Sequence, residues 1–278
     1  LAGFASILVS NFFGFSVVPT ALQLFLFPAM AVALTNKQHI TNDSQLKRLA
    51  NGQKAAIVIL LLVGGWFLVV IAKYWYADLL FAKARLLNDQ AKFVEARGNL
   101  ISAIGLSPNE AIFYSELSES DAGIALALDN AGEKDKDKTF IDAAISESNM
   151  AVSISAANLN LKRNKASIFI KLAIIDPRYL YEARDTLLGA VKKAPTDAKL
   201  FYNLGLTYAR IGDVEAAMQT LKKAIELKAN YRDARLAYAL ILIDKKKIPE
   251  AREQLKYILE KINPNDAVAR QQLEEIGR

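Results

Sequence analysis

The stretch FYNLGLTYARIGDVEAAMQTLKKAIEL, residues 201–227, decides the fold. Phe201, Leu204 and Tyr208 recur at intervals of three and four, which places them on one face of a helix. Gly205 sits among them, where a missing side chain lets a second helix come close. Gly212 and Asp213 interrupt the pattern: glycine tolerates the left-handed conformation that ends a helix, and aspartate caps the one that follows. Ala217, Leu221 and Ala224 then open a second helical face. The segment therefore reads as two antiparallel helices joined by a tight turn.

Outward from this segment the pattern repeats. Ala183, Ala217 and Ala251 are 34 residues apart, and so are Leu187, Leu221 and Leu255. Ala190 and Ala224 keep the register, which Ile258 breaks with a bulkier side chain. Small residues must recur where paired helices cross, and larger apolar ones where a ridge fills the groove of the next pair. A 34-residue period of helix pairs therefore implies a stacked solenoid. Unit 198–231 resembles the tetratricopeptide motif, with Phe201, Leu204, Gly205, Tyr208, Ala217, Leu221 and Ala224 in its marked places. It departs from that motif at Ala229, where the family usually has proline.

The next unit, 232–265, keeps Ala251 and Leu255 but has Arg235, Ala239 and Lys246 where an aromatic and two glycines are usual. Pro249 suits the first turn of its second helix. Residues 266–278 read as a polar-faced capping helix. Toward the N-terminus, unit 164–197 retains Ala183, Leu187, Ala190 and Pro195, and unit 77–110 holds Ala84, Ala96, Leu100, Ala103 and Pro108. From Ala96 to Ala183 is 87 residues, 19 more than two periods (87 − 68). The excess fits one enlarged unit, 111–163, whose helices are separated by the charged run NAGEKDKDKT (130–139), read as a solvated loop. The expected fold is all-α: a solenoid of about five helix pairs over 77–278, preceded by a transmembrane helical hairpin.

That hairpin is the content of residues 1–76. The first 36 residues carry no charge, and the chain opens at Leu1 in the manner of a fragment or processed product. The segments 17–34 (VVPTALQLFLFPAMAVAL) and 55–72 (AAIVILLLVGGWFLVVIA) are each long enough, at ~27 Å, to approach the ~30 Å thickness of a bilayer core. Lys73 and the aromatic triplet Tyr74, Trp75, Tyr76 end the second at what reads as headgroup depth. A signal peptide would need a basic segment ahead of its apolar core, and none precedes the first span. The polar loop 36–54 holds Lys37, Lys47, Arg48 and Lys54 against the single Asp43, which places it in the cytoplasm and the repeats outside. Lys73, Lys83 and Arg85 pull the other way. Only Tyr74–Asp78 separate span from stack, so a continuous or gently bent helix is expected there.

The chemistry of the chain is that of binding. There is no cysteine, which excludes disulfides and thiol catalysis. His39 is the only histidine and lies in a polar loop. There is no phosphate-cradling glycine loop and no metal-ligand cluster, and Asp135 and Asp137 lack the glycine and terminal glutamate of a calcium loop. The charge of +6 is thinly spread without a basic aromatic patch, so nucleic acid is not an expected partner. No catalytic, metal or cofactor site is expected, and no cofactor. By the family resemblance, first helices line a concave groove, and the positions facing it are Tyr202, Asn203, Leu206, Arg210, Leu236 and Leu240. Their mix of amide, cation and apolar surface suits a peptide or protein segment. The spacing equally allows the three leucines to pack beneath neighbouring helices.

A wider resemblance covers nearly the whole chain. SNFFGFSVVPTALQLFLFPAMAVAL, the span ending in KYWYADLLFAKAR, and the repeats containing IDPRYLYEA and PTDAKLFYNLGL look like the C-terminal part of bacterial O-antigen ligase/polymerase-family membrane proteins with appended repeats. The resemblance implies a many-spanning plasma-membrane enzyme that transfers or polymerises lipid-linked glycan on the outer side of the membrane, with its functional basic residues on external loops between earlier spans. No segment here matches that family's functional loops, so no catalytic residue is carried over. The competing expectation is a membrane-tethered adaptor for secretion or envelope assembly, without an enzymatic core.

Overall fold

The computed structural model describes residues 51–277. The first expected span, His39 and most of the polar loop lie outside the described residues. The first described element, α1 (Asn51–Asp89), is one helix that continues without a break through Tyr74–Asp78. Its most apolar 18-residue window has a mean hydropathy of 2.4, and none of that window is buried. Leu60, Leu61, Leu62, Trp66 and Leu68 all face outward. From Ala77 the character of the helix changes. Ala77, Ala84 and Leu87 are buried on one stripe, while the other faces of the helix remain polar or exposed.

The remaining helices follow as hairpins: α2 (Phe93–Leu106), α3 (Ala111–Asn130), α4 (Lys134–Ile154), α5 (Leu159–Leu172), α6 (Tyr179–Lys193), α7 (Ala198–Ile211), α8 (Val214–Leu227), α9 (Arg232–Asp244), α10 (Ile248–Tyr257) and α11 (Ala267–Glu275). No strand occurs among the described residues. The apolar interior is a series of local clusters. Ala84 and Leu87 of α1 meet Ala96 and Leu100 of α2 and Leu117 of α3. Ala122 and Ala125 of α3 meet Ile141 and Ala144 of α4 and Ile168 and Leu172 of α5. Ala166 of α5 and Leu187 and Ala190 of α6 pack on Leu200 and Leu204 of α7. Ala239 of α9, Leu255 and Ile258 then close against Ala269 of α11. Each cluster bridges one hairpin to the next, which is the quasi-one-dimensional packing of a solenoid.

The close crossings rest on small residues. A Cβ added to Gly205 would lie 2.7 Å from Leu221 Cγ, so a larger residue cannot enter without displacing α8. Four of the turns share one geometry. Ala91, Gly132, Gly212 and Lys246 all have positive φ, and the residue after each donates its N–H five residues back: Lys92 to Leu87, Glu133 to Leu128, Asp213 to Tyr208 and Lys247 to Leu242, at 2.8 to 3.0 Å. This is the bond pattern of a Schellman closure. Asp213 then caps α8 through Ala216 N–H at 3.0 Å. At the far end Asp266 caps α11 through Ala269 N–H and accepts from Arg232, whose guanidinium holds that carboxyl down to about 2.

Two expectations are corrected. The run NAGEKDKDKT is not a solvated loop between helices: α4 begins at Lys134, and only Ala131–Glu133 separate it from α3. Gly132 reverses the chain within three residues, after which helix propagation from Phe140, Ile141 and Ala144 extends back through the charged run. The 34-residue spacing also fails in one place. The turn between α5 and α6 takes Ala173–Arg178, while that between α7 and α8 takes only Gly212 and Asp213, so α5 begins at Leu159 and not at 164. Where Ile258 breaks the alanine register, the helix passes into a π-helical turn, Ile258–Ile262, closed by Asn263 N–H to Ile258 C=O at 2.8 Å.

Candidate protein-binding groove

The longer α5–α6 turn sets the register of the groove. Helices α5 and α7 start 39 residues apart (198 − 159). Under that shift buried Leu161 matches Leu200, Ala166 matches Gly205, and Phe169 matches Tyr208. The same shift aligns Asn164 with Asn203, Ser167 with Leu206, and Lys171 with Arg210. The amide and the cation expected at one helix are therefore present on two successive first helices.

Those helices line a shared depression of about 480 Å³, formed by Ser167, Ile170, Lys171, Ile174, Leu180 and Arg210. Ile170, Ile174 and Leu180 supply its apolar lining, and Lys171 and Arg210 its two cations. Ser167 also borders a second, polar depression of about 250 Å³, lined by Arg85, Asp89, Glu116, Glu119 and Asn164. The side chains between the two are tied down across helices. Lys171 pairs with Glu119, and Asn164 donates to Ser115 Oγ at 3.1 Å. Asn88 donates to Glu116 Oε1 at 2.8 Å and accepts from Ser120 Oγ at 2.8 Å. Fixing these rotamers lowers the entropy lost when a ligand binds.

The residues expected to line the groove fall into different places. Arg210 is exposed and borders the apolar depression. Asn203 and Leu206 are half-buried on α7, and the Asn203 carbonyl accepts from Thr207 Oγ1 at 2.9 Å. The Tyr202 ring lies 5.1 Å from that of Tyr231, and burial, with Asp233 nearby, raises its phenol above the usual value. Tyr231 is pushed up to about 12, mainly by burial. Both rings stay neutral hydrogen-bonding groups at physiological pH. Leu240 remains exposed, while Leu236 commits part of its surface to the cluster around Ala239, Leu255 and Ile258. The spacing of 34 did not reveal Ile170, Lys171, Ile174 and Asn164. Their signal is the pairing of Ala166 with Phe169, which copies Gly205 with Tyr208 once the longer turn is counted. Among the described residues no group of His, Cys, Asp or Glu could hold a metal ion.

Residues 198–231 match the family model described as tetratricopeptide repeat. This unit is a tetratricopeptide repeat. A tetratricopeptide protein of Thermus thermophilus, TTC0263, superposes on 72% of the chain and 98% of its own length, with a TM-score of 0.52 and 19% identity. MamA from Desulfovibrio magneticus RS-1 gives a TM-score of 0.49 at 18% identity, covering 69% of this chain and 98% of its own. PilF of Pseudomonas aeruginosa gives 0.49 at 17% identity, covering 74% and 90%. No curated protein matches the sequence. The tetratricopeptide unit and the first of these superpositions establish a tetratricopeptide-type helical solenoid.

Proposed function

We propose that the chain is a membrane-anchored docking module whose solenoid holds an extended segment of another protein. The observation that carries this reading is the repetition of Lys171 by Arg210 around one depression with Ile170, Ile174 and Leu180, on two first helices that also repeat Asn164 as Asn203. Repeated amides in such a row hydrogen-bond the backbone of an extended chain. Arg210, which forms no ion pair with a described residue, selects an acidic side chain, and Ile170, Ile174 and Leu180 take an apolar one. Anchoring is supported by α1, whose apolar part is long enough to cross a bilayer and turns Leu60, Leu61, Leu62, Trp66 and Leu68 outward. A soluble core helix would bury those side chains. The aromatic triplet Tyr74–Tyr76 marks the headgroup level.

The charge of loop 36–54 supports a plasma-membrane protein with an extracytoplasmic solenoid. The resemblance to the O-antigen ligase/polymerase family supports a role beside a glycan-handling membrane core, with lipid-linked glycan handled by segments upstream of this chain. The test compares partner capture by the detergent-solubilised full chain with that of Arg210→Glu and Lys171→Glu, using Lys222→Glu on the opposite helix as control. Both groove variants lose an acidic partner while the control retains it. Equal capture by all four proteins would remove the groove from the account.

A further inference from the structure

The first described hairpin leaves a stacking face open. The spacing that aligns Ala96, Leu100 and Ala103 with Ala217, Leu221 and Ala224 is 121 residues (217 − 96), and it also aligns Ala84 with Gly205 and the turn residues Ala91 and Gly212. Under it Leu79 corresponds to Leu200 and Leu86 to Thr207. In α7 those two positions are 0% exposed, and Leu200 packs on Ala166, Leu187 and Ala190 of the preceding hairpin. In α1, Leu79 is 49% exposed and Leu86 58%. The C-terminal end of the stack has its cap in α11, whereas these N-terminal leucines have none among the described residues. Terminal units of a solenoid ordinarily carry a polar outer face.

The exposed face has the spacing of a helix seam. Ala72, Trp75, Leu79, Ala82 and Leu86 are all exposed and follow one another at three, four, three and four residues. They lie opposite Ala77 and Ala84, which are buried against the rest of the hairpin. This is the a/d register of a coiled coil, and it fills the seam with apolar residues past Lys73, where the helix has left its uncharged stretch. The flanking charges fit a second copy. Asp78 and Lys83 occupy the adjoining g and e positions, five residues apart, so in a parallel pair Asp78 of one copy meets Lys83 of the other. Both are exposed, and neither forms an ion pair with a described residue of its own chain.

We propose that two copies of this chain pair in parallel along α1, with Ala72, Trp75, Leu79, Ala82 and Leu86 as the seam and Asp78–Lys83 as the inter-copy ion pairs. The pairing rests on the reading that α1 is anchored in a bilayer, because anchoring gives both copies the same orientation and makes the parallel register the accessible one. It places two solenoids side by side, each with its own groove.

The absence of cysteine allows a direct test in membranes carrying the full chain. Leu79→Cys and Leu86→Cys are oxidised, with Val94→Cys on α2 and Glu253→Cys on α10 as exposed controls. Seam positions bring like residues within disulfide reach in a parallel pair. Disulfide-linked dimer at Leu79 and Leu86 only, loss of it in Asp78→Lys or Lys83→Asp, and its return in the double swap are the expected results. Equal cross-linking at all four positions signals random collision and overturns the proposal. So does absence of dimer, whether a maleimide reaches the thiol introduced at position 79, leaving the face bare, or fails to, showing that another segment covers it. Alkaline carbonate extraction separates the two readings. A chain that stays in the pellet without a disulfide sinks the pairing alone, and a chain released to the supernatant sinks the anchoring as well.

Discussion

The α1–α2 hairpin and the α7–α8 hairpin are built on the same interior and present different surfaces. At the crossing, Ala84, Ala96, Leu100 and Ala103 do in one what Gly205, Ala217, Leu221 and Ala224 do in the other, and all are buried. At the turn, Ala91 takes the left-handed conformation that Gly212 takes. On the outer face the two part company. Val94, Gly98, Ile101 and Gly105 of α2 stand where α8 has Glu215, Gln219, Lys222 and Glu226. Inside, Arg97 stands where α8 buries Met218, and it binds Asp121 of α3 at 2.6 Å and lies over the Phe140 ring. Packing geometry therefore constrains the small and apolar positions alone. The residues around them are free to serve the surroundings of each unit.

The comparison breaks most readily at the crossing. Gly205→Leu forces a side chain into Leu221, and overpacking costs ~1–3 kcal/mol or more. Ala84 already fills the matching space in α1, so Ala84→Gly has a much smaller effect. Thermal unfolding of the full chain in detergent measures both. Similar melting temperatures for the two variants would show that the hairpins do not share this register.

A second prediction sharpens the contrast between Arg97 and Met218. Asp121 is fully buried, and neither its Oδ2 nor Glu147 Oε2 has a hydrogen-bond partner among the described residues. Burial first, and then the neighbouring Asp121 carboxylate, pushes the Glu147 carboxyl up to about 9. A proton on Glu147 makes it a donor toward Asp121, so folding holds a proton that the unfolded chain releases near 4.5. The stability linked to this group is fully present below about 4.5 and is lost as pH rises through about 9. Glu147→Gln keeps the donor at every pH. It should flatten the decline between pH 5 and 9 in a denaturant series, and a parallel decline in both proteins would contradict the shared proton. The Asp266 cap has the opposite sign. With its carboxyl at about 2, its contribution is present above the ordinary 3.8 and disappears as pH falls through 2.

The smallest effects lie at the turns. A side chain in the left-handed region costs ~1–2 kcal/mol, partly offset by the lower unfolded-state entropy of a non-glycine residue. Ala91→Gly and Lys246→Gly should each stabilise by roughly 0.5–1 kcal/mol, and Gly212→Ala should destabilise by a similar amount. Equal midpoints in urea for all three would mean that the backbone relaxes at these turns.

Much of the architecture was legible because it depends on positions that sterics leave little choice about. Alanines and leucines at spacing 34 located the second helices, and Gly212 with Asp213 located a turn. Lys246 shows the limit of that reading: it occupies the glycine position, yet the Schellman bond from Lys247 to Leu242 forms around it. Candidate groove positions could be named from the sequence on α7 and not on α5, since the residues Ala173–Arg178 lengthen one turn and shift Asn164 and Lys171 out of the period. The Arg97–Asp121–Glu147 cluster left no trace in spacing. It joins three helices across 24 and 26 residues, distances that no helical period connects.

The central claim is that the two aligned first helices hold a protein segment while α1 remains in the membrane. A photo-reactive residue placed at Ser167, in native membranes, tests it most directly, with the same residue at Lys222 as reference. The account predicts a discrete cross-linked protein from position 167 and none from 222. Adducts of equal yield at both positions, or at neither, would contradict it.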